Sequence, residues 1–223
     1  MKRLSLSFVL LFFFMNVWCV AGLNGSEIGF SPIIKLPQPK FDGNLSVEKA
    51  LKERRSIRTY KPDPLLAETV SQLLWAAQGI TEPSKGLRTA PSAEASYLLE
   101  VYLIASNVIG VVPGLYKYQP QGHEIKQISE GDIKERLYNV VGQAPIKGAP
   151  ALLVLTGYPK RSVNPAWMYL EAGHAAQNVL LQAVSLNLGT VVMTGFRPEE
   201  VKKVLGLPDD ELPIYILPVG KRM

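Results

Sequence analysis

Arg54-Arg55-Ser56-Ile57-Arg58 sets three guanidiniums and a hydroxyl side by side. Planar arginine donors match phosphate oxygens in pairs, so such a run can surround a phosphate. The competing reading is a solvated basic helix end that interacts with the helix dipole. Thr89-Ala90-Pro91-Ser92-Ala93-Glu94-Ala95-Ser96-Tyr97 combines a rigid proline, small side chains and free backbone amides. That combination can press against a flat ring, or it can be an ordinary surface loop. In Val191-Val192-Met193-Thr194-Gly195-Phe196 a strand ends in glycine, and Arg197-Pro198 then opens a helix. Backbone amides at such a turn can donate to a ring edge. Pro218-Val219-Gly220-Lys221-Arg222 places cations directly after a strand, where they can close an anion site or form a basic tail.

Other chemistries lack residues. Cys19 is the only cysteine and lies in the first apolar segment, so a chain processed beyond it has no thiol nucleophile, thiolate ligand or disulfide. Two histidines, His123 and His174, are too few for a histidine-rich metal site. A lone helical histidine such as His174 is more often a structural hydrogen-bonder than a catalyst. There is no Gly-x-Gly-x-x-Gly, no Walker phosphate loop and no Gly-x-Ser-x-Gly elbow. The formal charge is +5, and two of those charges, Lys2 and Arg3, sit at the start. Nothing concentrates the rest into the basic patch that nucleic acid requires.

The elements that must position these residues follow from pattern. The 223 residues, 47% of them hydrophobic, suit one globular domain with a sizeable core. Lys2 and Arg3, the apolar run Leu4 to Val17 and small residues around Ala21 have the three parts of a secretory signal peptide, assigned to residues 1–22. This predicts export, periplasmic or secreted, with an uncleaved signal anchor in the membrane as the rival. Residues 23–44, rich in Pro, Gly and Ser, read as an extended arm. Ser46 offers an N-cap for a helix running to Arg54. Asp63-Pro64 reads as the start of a second helix, striped by Leu65, Leu66, Val70, Leu73, Leu74 and Ala77 and closed by Gly79. Thr81 to Ala95 reads as loop. Glu100 to Ile104, Gly114 to Tyr118 and Glu124 to Ile128 read as strands, the last two forming a hairpin. Asp132 to Val140 reads as a short helix, and Ala151 to Thr156 as a buried strand. Pro165 to Asn187 carries the longest helical pattern, whose small central residues suit a central packing or dimer helix and whose glycine, Gly173, points to close packing there. Gly189 to Met193, Pro198 to Leu205 and Leu212 to Val219 read as strand, helix and strand. Helices and strands mix without strict βαβ alternation, so the class is α+β.

In this order the segments resemble the nitroreductase family of flavoproteins. Arg54-Arg-Ser-Ile-Arg is followed by Pro91-Ser-Ala. Then come Glu171-Ala-Gly-His-Ala-Ala-Gln-Asn, Leu186-Asn-Leu-Gly-Thr, Val192-Met-Thr-Gly-Phe and Pro218-Val-Gly-Lys. The match covers residues 45–223, the expected domain. Thr89-Ala-Pro-Ser-Ala, Tyr97 and Leu99-Glu-Val-Tyr look most like the peptide-azoline (thiazole/oxazole) dehydrogenase branch. The resemblance implies a central, mostly antiparallel sheet flanked by helices and an intertwined homodimer with FMN at the subunit interface. Arg54, Arg55, Ser56 and Arg58 would hold phosphate, ribityl and pyrimidine. Pro91, Ser92 and Ala93 of the other subunit would line the isoalloxazine. Thr194 and Gly195 would set N–H groups near flavin N5, and Lys221 with Arg222 would return to the phosphate. The implied activity is ping-pong hydride transfer at N5 between a small-molecule or peptide substrate and NAD(P)H or another redox partner, with no catalytic side chain. Glu94, Ala95 and Leu98 depart from the glycines and proline usual in the branch. A non-catalytic exported flavin-binding module is the alternative.

Overall fold

The computed structural model describes residues 32–223. The expected leader, its cleavage positions and the start of the arm lie outside the described residues. Seven strands form one antiparallel sheet in the order β1 (Ile33–Lys35), β8 (Glu124–Glu130), β7 (Gly114–Gln119), β5 (Leu99–Ala105), β9 (Ala151–Gly157), β11 (Leu212–Lys221) and β10 (Leu188–Thr190). Every residue of β9 is buried, as its continuous apolar run requires.

Side chains along the central strands alternate between two cores. Val101, Leu103, Leu153, Leu155, Leu217 and Val219 face helices α2 (Ala67–Gln78) and α5 (Ala166–Ser185). Tyr102, Ile104, Leu152, Val154 and Ile216 join the side chains of α3 (Lys134–Val141), α4 (Pro145–Gly148) and α6 (Pro198–Leu205). The twofold period of a strand thus makes a three-layer α+β molecule. Helix α1 (Val47–Glu53) starts where Ser46 Oγ accepts the Lys49 N–H at 3.2 Å. Gly206, in the left-handed region, closes α6.

Three local expectations shift. Asp63-Pro64 does not open a helix. Leu65 and Leu66 instead form β2 (Leu65–Leu66), parallel to β6 (Val108–Ile109), and α2 begins at Ala67. Burial of Leu65 at 1% exposure and its N–H bond to Asn107 O outweigh the local helix-start signal. The stretch from Thr81 to Ala95 contains a small hairpin, β3 (Ile80–Glu82) with β4 (Leu87–Arg88). Regular pairing in β10 stops at Thr190, although Met193 still bridges Ile216.

Candidate functional site

The basic run leaves α1 and lies along the β10 edge of the sheet. The Ile57 N–H donates to Thr190 O at 3.0 Å, and Ser56 bridges Thr190 in the parallel sense. Tyr60 then bridges Arg222, and the Lys61 N–H donates to Lys221 O at 3.0 Å. Two glycines make room for this path. Gly189 and Gly220 face each other across β10 and β11. A Cβ on Gly189 would stand 2.6 Å from Ile57 Cγ2, and one on Gly220 2.7 Å from Tyr60 Cβ. Tyr60 is buried on this floor, its hydroxyl donating to Ile57 O and Pro218 O at 2.8 and 3.2 Å. Burial drives its phenol well above the ordinary value of 10.0, so it stays protonated. Arg54 and Arg222 are half-buried, whereas Arg55, Ser56, Arg58 and Lys221 are exposed. Arg55 Nη1 donates to Lys52 O and Arg54 O, and Arg222 Nε to Leu188 O. A cavity of about 360 Å³ on this edge is lined by Lys61, Asn187, Lys221 and Arg222, with Leu66 and Ile109 on its apolar side, and by none of Arg54, Arg55, Ser56 and Arg58.

Thr194 and Gly195 lie exposed in the loop between β10 and α6. Gln143 Nε2 donates to Gly195 O at 3.0 Å, and the Phe196 N–H to Thr194 O. The N–H groups of Thr194 and Gly195 themselves have no partner among the described residues.

Pro91, Ser92 and Ala93 sit elsewhere, against the first half of α5, where a second cavity of about 320 Å³ is lined by Trp167, Leu170, Glu171 and His174. His174 Nδ1 lies 3.4 Å from Pro91 O, and Asn178 Nδ2 donates to Thr89 O at 3.1 Å. The Ser92 hydroxyl is engaged internally: it donates to Glu171 Oε2 at 2.7 Å and accepts the Tyr97 N–H at 2.8 Å. This cluster and the basic edge flank opposite ends of α5. From Glu171 to Leu186 the helix axis spans about 20 Å. Within one protomer, then, the structure lays the segment that carries Arg54–Arg58 along the same sheet edge as Lys221 and Arg222 but leaves Pro91–Ala93 apart. Gly173 is open within the protomer. A Cβ there would meet nothing within 4 Å, so the helix is not closely packed at that point within the protomer.

Sequence reasoning missed Glu171, which is 2% exposed and tied to Ser92, Gln78 and Leu98. Its position was a usable signal, since it shares the buried stripe of Met168, Ala172 and Ala175. A second buried carboxylate, Glu211, accepts from the hydroxyls of Thr156, Tyr102 and Tyr158 and has no link to the candidate site.

The profile of the Nitroreductase family matches residues 51–221. The chain belongs to the nitroreductase family. A Methanocaldococcus jannaschii protein named as a nitroreductase is 36% identical over 186 residues, covering 80% of this chain and 92% of its own. A Methanothermobacter thermautotrophicus protein named as an NADH dehydrogenase/NAD(P)H nitroreductase is 24% identical, covering 80% of each chain. Among solved structures, a nitroreductase-named protein of Ralstonia eutropha superposes with TM-score 0.76 at 28% identity, over 88% of this chain and 92% of that one. A chain of the Escherichia coli microcin synthetase McbBCD complex with truncated pro-MccB17 superposes with TM-score 0.66 at 20% identity, over 84% and 77%. That last likeness is one of fold. The nitroreductase-like fold and the oxidoreductase class are therefore those of this chain.

Proposed function

We propose that this nitroreductase-family chain is an FMN-dependent oxidoreductase acting as a homodimer. Each flavin would be shared between the basic edge of one protomer and the Pro91–Ala93 loop of its partner. The split of the donor set carries the reading: cations gather at one end of α5 and the ring-facing loop at the other. A site shared between two copies closes that gap.

The residues present suit the cofactor. Arg54, Arg55, Arg58, Lys221 and Arg222 form no ion pair with a described residue, which leaves their charge for phosphate oxygens. Thr190 Oγ1 is buried without a hydrogen-bond partner, on the residue that bridges Ser56. When bound, FMN would supply two-electron hydride chemistry at ring N5. Arg54 and Lys221 would hold the phosphate, with Arg55, Ser56 and Arg222 beside them. The unpaired N–H groups of Thr194 and Gly195 would orient the ring edge. Arg58 would offset negative charge on the pyrimidine side. No side chain need act as a nucleophile.

For the electron donor, the name of the Methanothermobacter relative favours NAD(P)H. The leader and the Thr89–Tyr97 motif favour an exported small-molecule or peptide substrate of azoline type. One experiment tests the cofactor and sorts the donors: full-length protein is mixed with FMN, desalted, and its absorbance recorded before and after anaerobic NADPH. Retained flavin absorbance is the expected result, and bleaching assigns NADPH as a donor. Colourless protein after desalting would reject the reading.

A further inference from the structure

We infer that Glu171 is a positioning residue whose buried carboxylate sets the shape of the Pro91–Tyr97 loop, and so the face that the loop offers to the ring. The inference rests on the shared-flavin reading for its link to function, but not for its structural content.

Three donors, one from α2 and one from each end of the loop, converge on this carboxylate. Gln78 Nε2 donates to Oε1 at 3.1 Å. The Ser92 hydroxyl and the Leu98 N–H donate to Oε2 at 2.7 and 3.2 Å. Ser92 Oγ in turn accepts the Tyr97 N–H at 2.8 Å. Both ends of the loop are therefore fastened to one oxygen atom. What they fasten is strained. Glu94, Ala95 and Tyr97 stand at φ of 54°, 53° and 46°, a region that L-residues with a Cβ avoid. Local preference alone would let these residues relax, so contacts from outside the loop must hold them. Arg88 extends the hold. Its guanidinium lies 4.4 Å from the centre of the Tyr97 ring, and its Nη1 donates to Gln78 Oε1 at 3.0 Å. Arg88, Gln78, Glu171 and Ser92 thus form one continuous chain from the β4 strand to the loop.

Only a full-length carboxylate satisfies this chain. Glutamine at 171 would present an NH2 group either to the Ser92 and Leu98 donors or to the Gln78 amide. Turning the Gln78 amide around would match the second case, but its own NH2 would then face Arg88. Every arrangement leaves a donor opposed by a donor in a dry site. Aspartate is one methylene too short.

The test uses the full chain, with and without FMN, as wild type, Glu171→Gln and Ser92→Ala. Amide hydrogen exchange reads the loop directly, because the Leu98 N–H reports on Glu171 and the Tyr97 N–H on Ser92. In Glu171→Gln both amides are expected to exchange about tenfold faster or more, while β5 and β9 amides inside the sheet keep their rates. Ser92→Ala should free the Tyr97 amide similarly, and it carries the test if Glu171→Gln fails to fold. The dissociation constant for FMN should weaken about tenfold in both variants. Wild-type exchange at Tyr97 and Leu98, or exchange that rises equally across the sheet, would overturn the positioning role. A loosened loop with unchanged FMN affinity would support that role and count against the shared-flavin reading instead.

Discussion

Gly189 and Gly220 show how a site of this kind depends on atoms that are not there. They oppose each other on neighbouring strands, and Ile57 of the arginine run and Tyr60 just after it lie directly on them. A methyl group on Gly220 would fall 2.7 Å from Tyr60 Cβ, 2.8 Å from Tyr60 Cγ and 3.1 Å from Pro150 Cδ. None of these atoms is the free end of a flexible chain. Gly220→Ala must therefore lift the Tyr60 segment, and with it Arg58, away from the sheet. Overpacking of this sort costs about 1–3 kcal/mol. A lower urea midpoint together with weaker FMN retention is the expected outcome. An unchanged midpoint would show that the segment does not rest on the glycine pair. The sequence displayed both glycines, but what makes them necessary lies far away in the chain: Tyr60 and Ile57 are more than a hundred residues distant. Arg54–Arg58, Lys221 and Arg222 were legible because each run is local and rich in one chemistry. Glu171 was legible only as a position on the buried stripe of α5; its role was not, because its partners are Gln78, Ser92 and Leu98, and no local pattern names them.

Among the elements, those whose ends are decided locally were legible. Ser46 starts α1 through its own side chain, and Gly206 ends α6 through its own backbone. β2 was not, because its pairing with β6 reaches across some forty residues and overrides Asp63-Pro64. The segment after β1 shows a third case, in which a histidine holds an element in place. Tyr118 O–H donates to His123 Nδ1 at 2.9 Å. This leaves the proton on Nε2, which lies 3.0 Å from Pro37 O and 2.7 Å from Ser71 Oγ. Ser71 O–H donates to Pro37 O at 2.5 Å. Lys35 and Glu124 pair with each other nearby and leave His123 without a charged partner. Burial holds the imidazole below its ordinary 6.5. The unfolded or released state thus binds the proton more readily, so the contribution is complete above about pH 6.5 and is lost as pH falls through the lowered value. Limited proteolysis of residues 32–44 should accelerate on acidification below that point. His123→Gln should flatten the dependence, and an equally steep profile in that variant would assign it to another group.

At the scale of the whole molecule the question is what covers α5. Its outward face carries Tyr169 at 50% and Leu170 at 60% exposure, followed by Gly173, His174 and Gln177. Glycine costs a helix interior up to about 1 kcal/mol relative to alanine, yet the space over Gly173 is empty within the protomer. The protomer gives no reason for that cost. A second copy laid against this face would, because a residue without a side chain lets two helices approach most closely. It would also bring the Pro91–Ala93 loop, which rides on the same helix, toward the basic edge of the other chain. Gly173→Leu separates the two accounts. Inside a lone protomer the added Cβ meets nothing within 4 Å and leucine raises helix propensity, so circular dichroism should be unchanged. Across a dimer it should wedge the helices apart. Sedimentation velocity is then expected to show a shift from dimer to monomer, and, on the proposed sharing of the flavin between two chains, FMN should be lost in proportion. A Gly173→Leu protein that stays dimeric and keeps its flavin would move the interface off α5 and remove the basis for sharing the site.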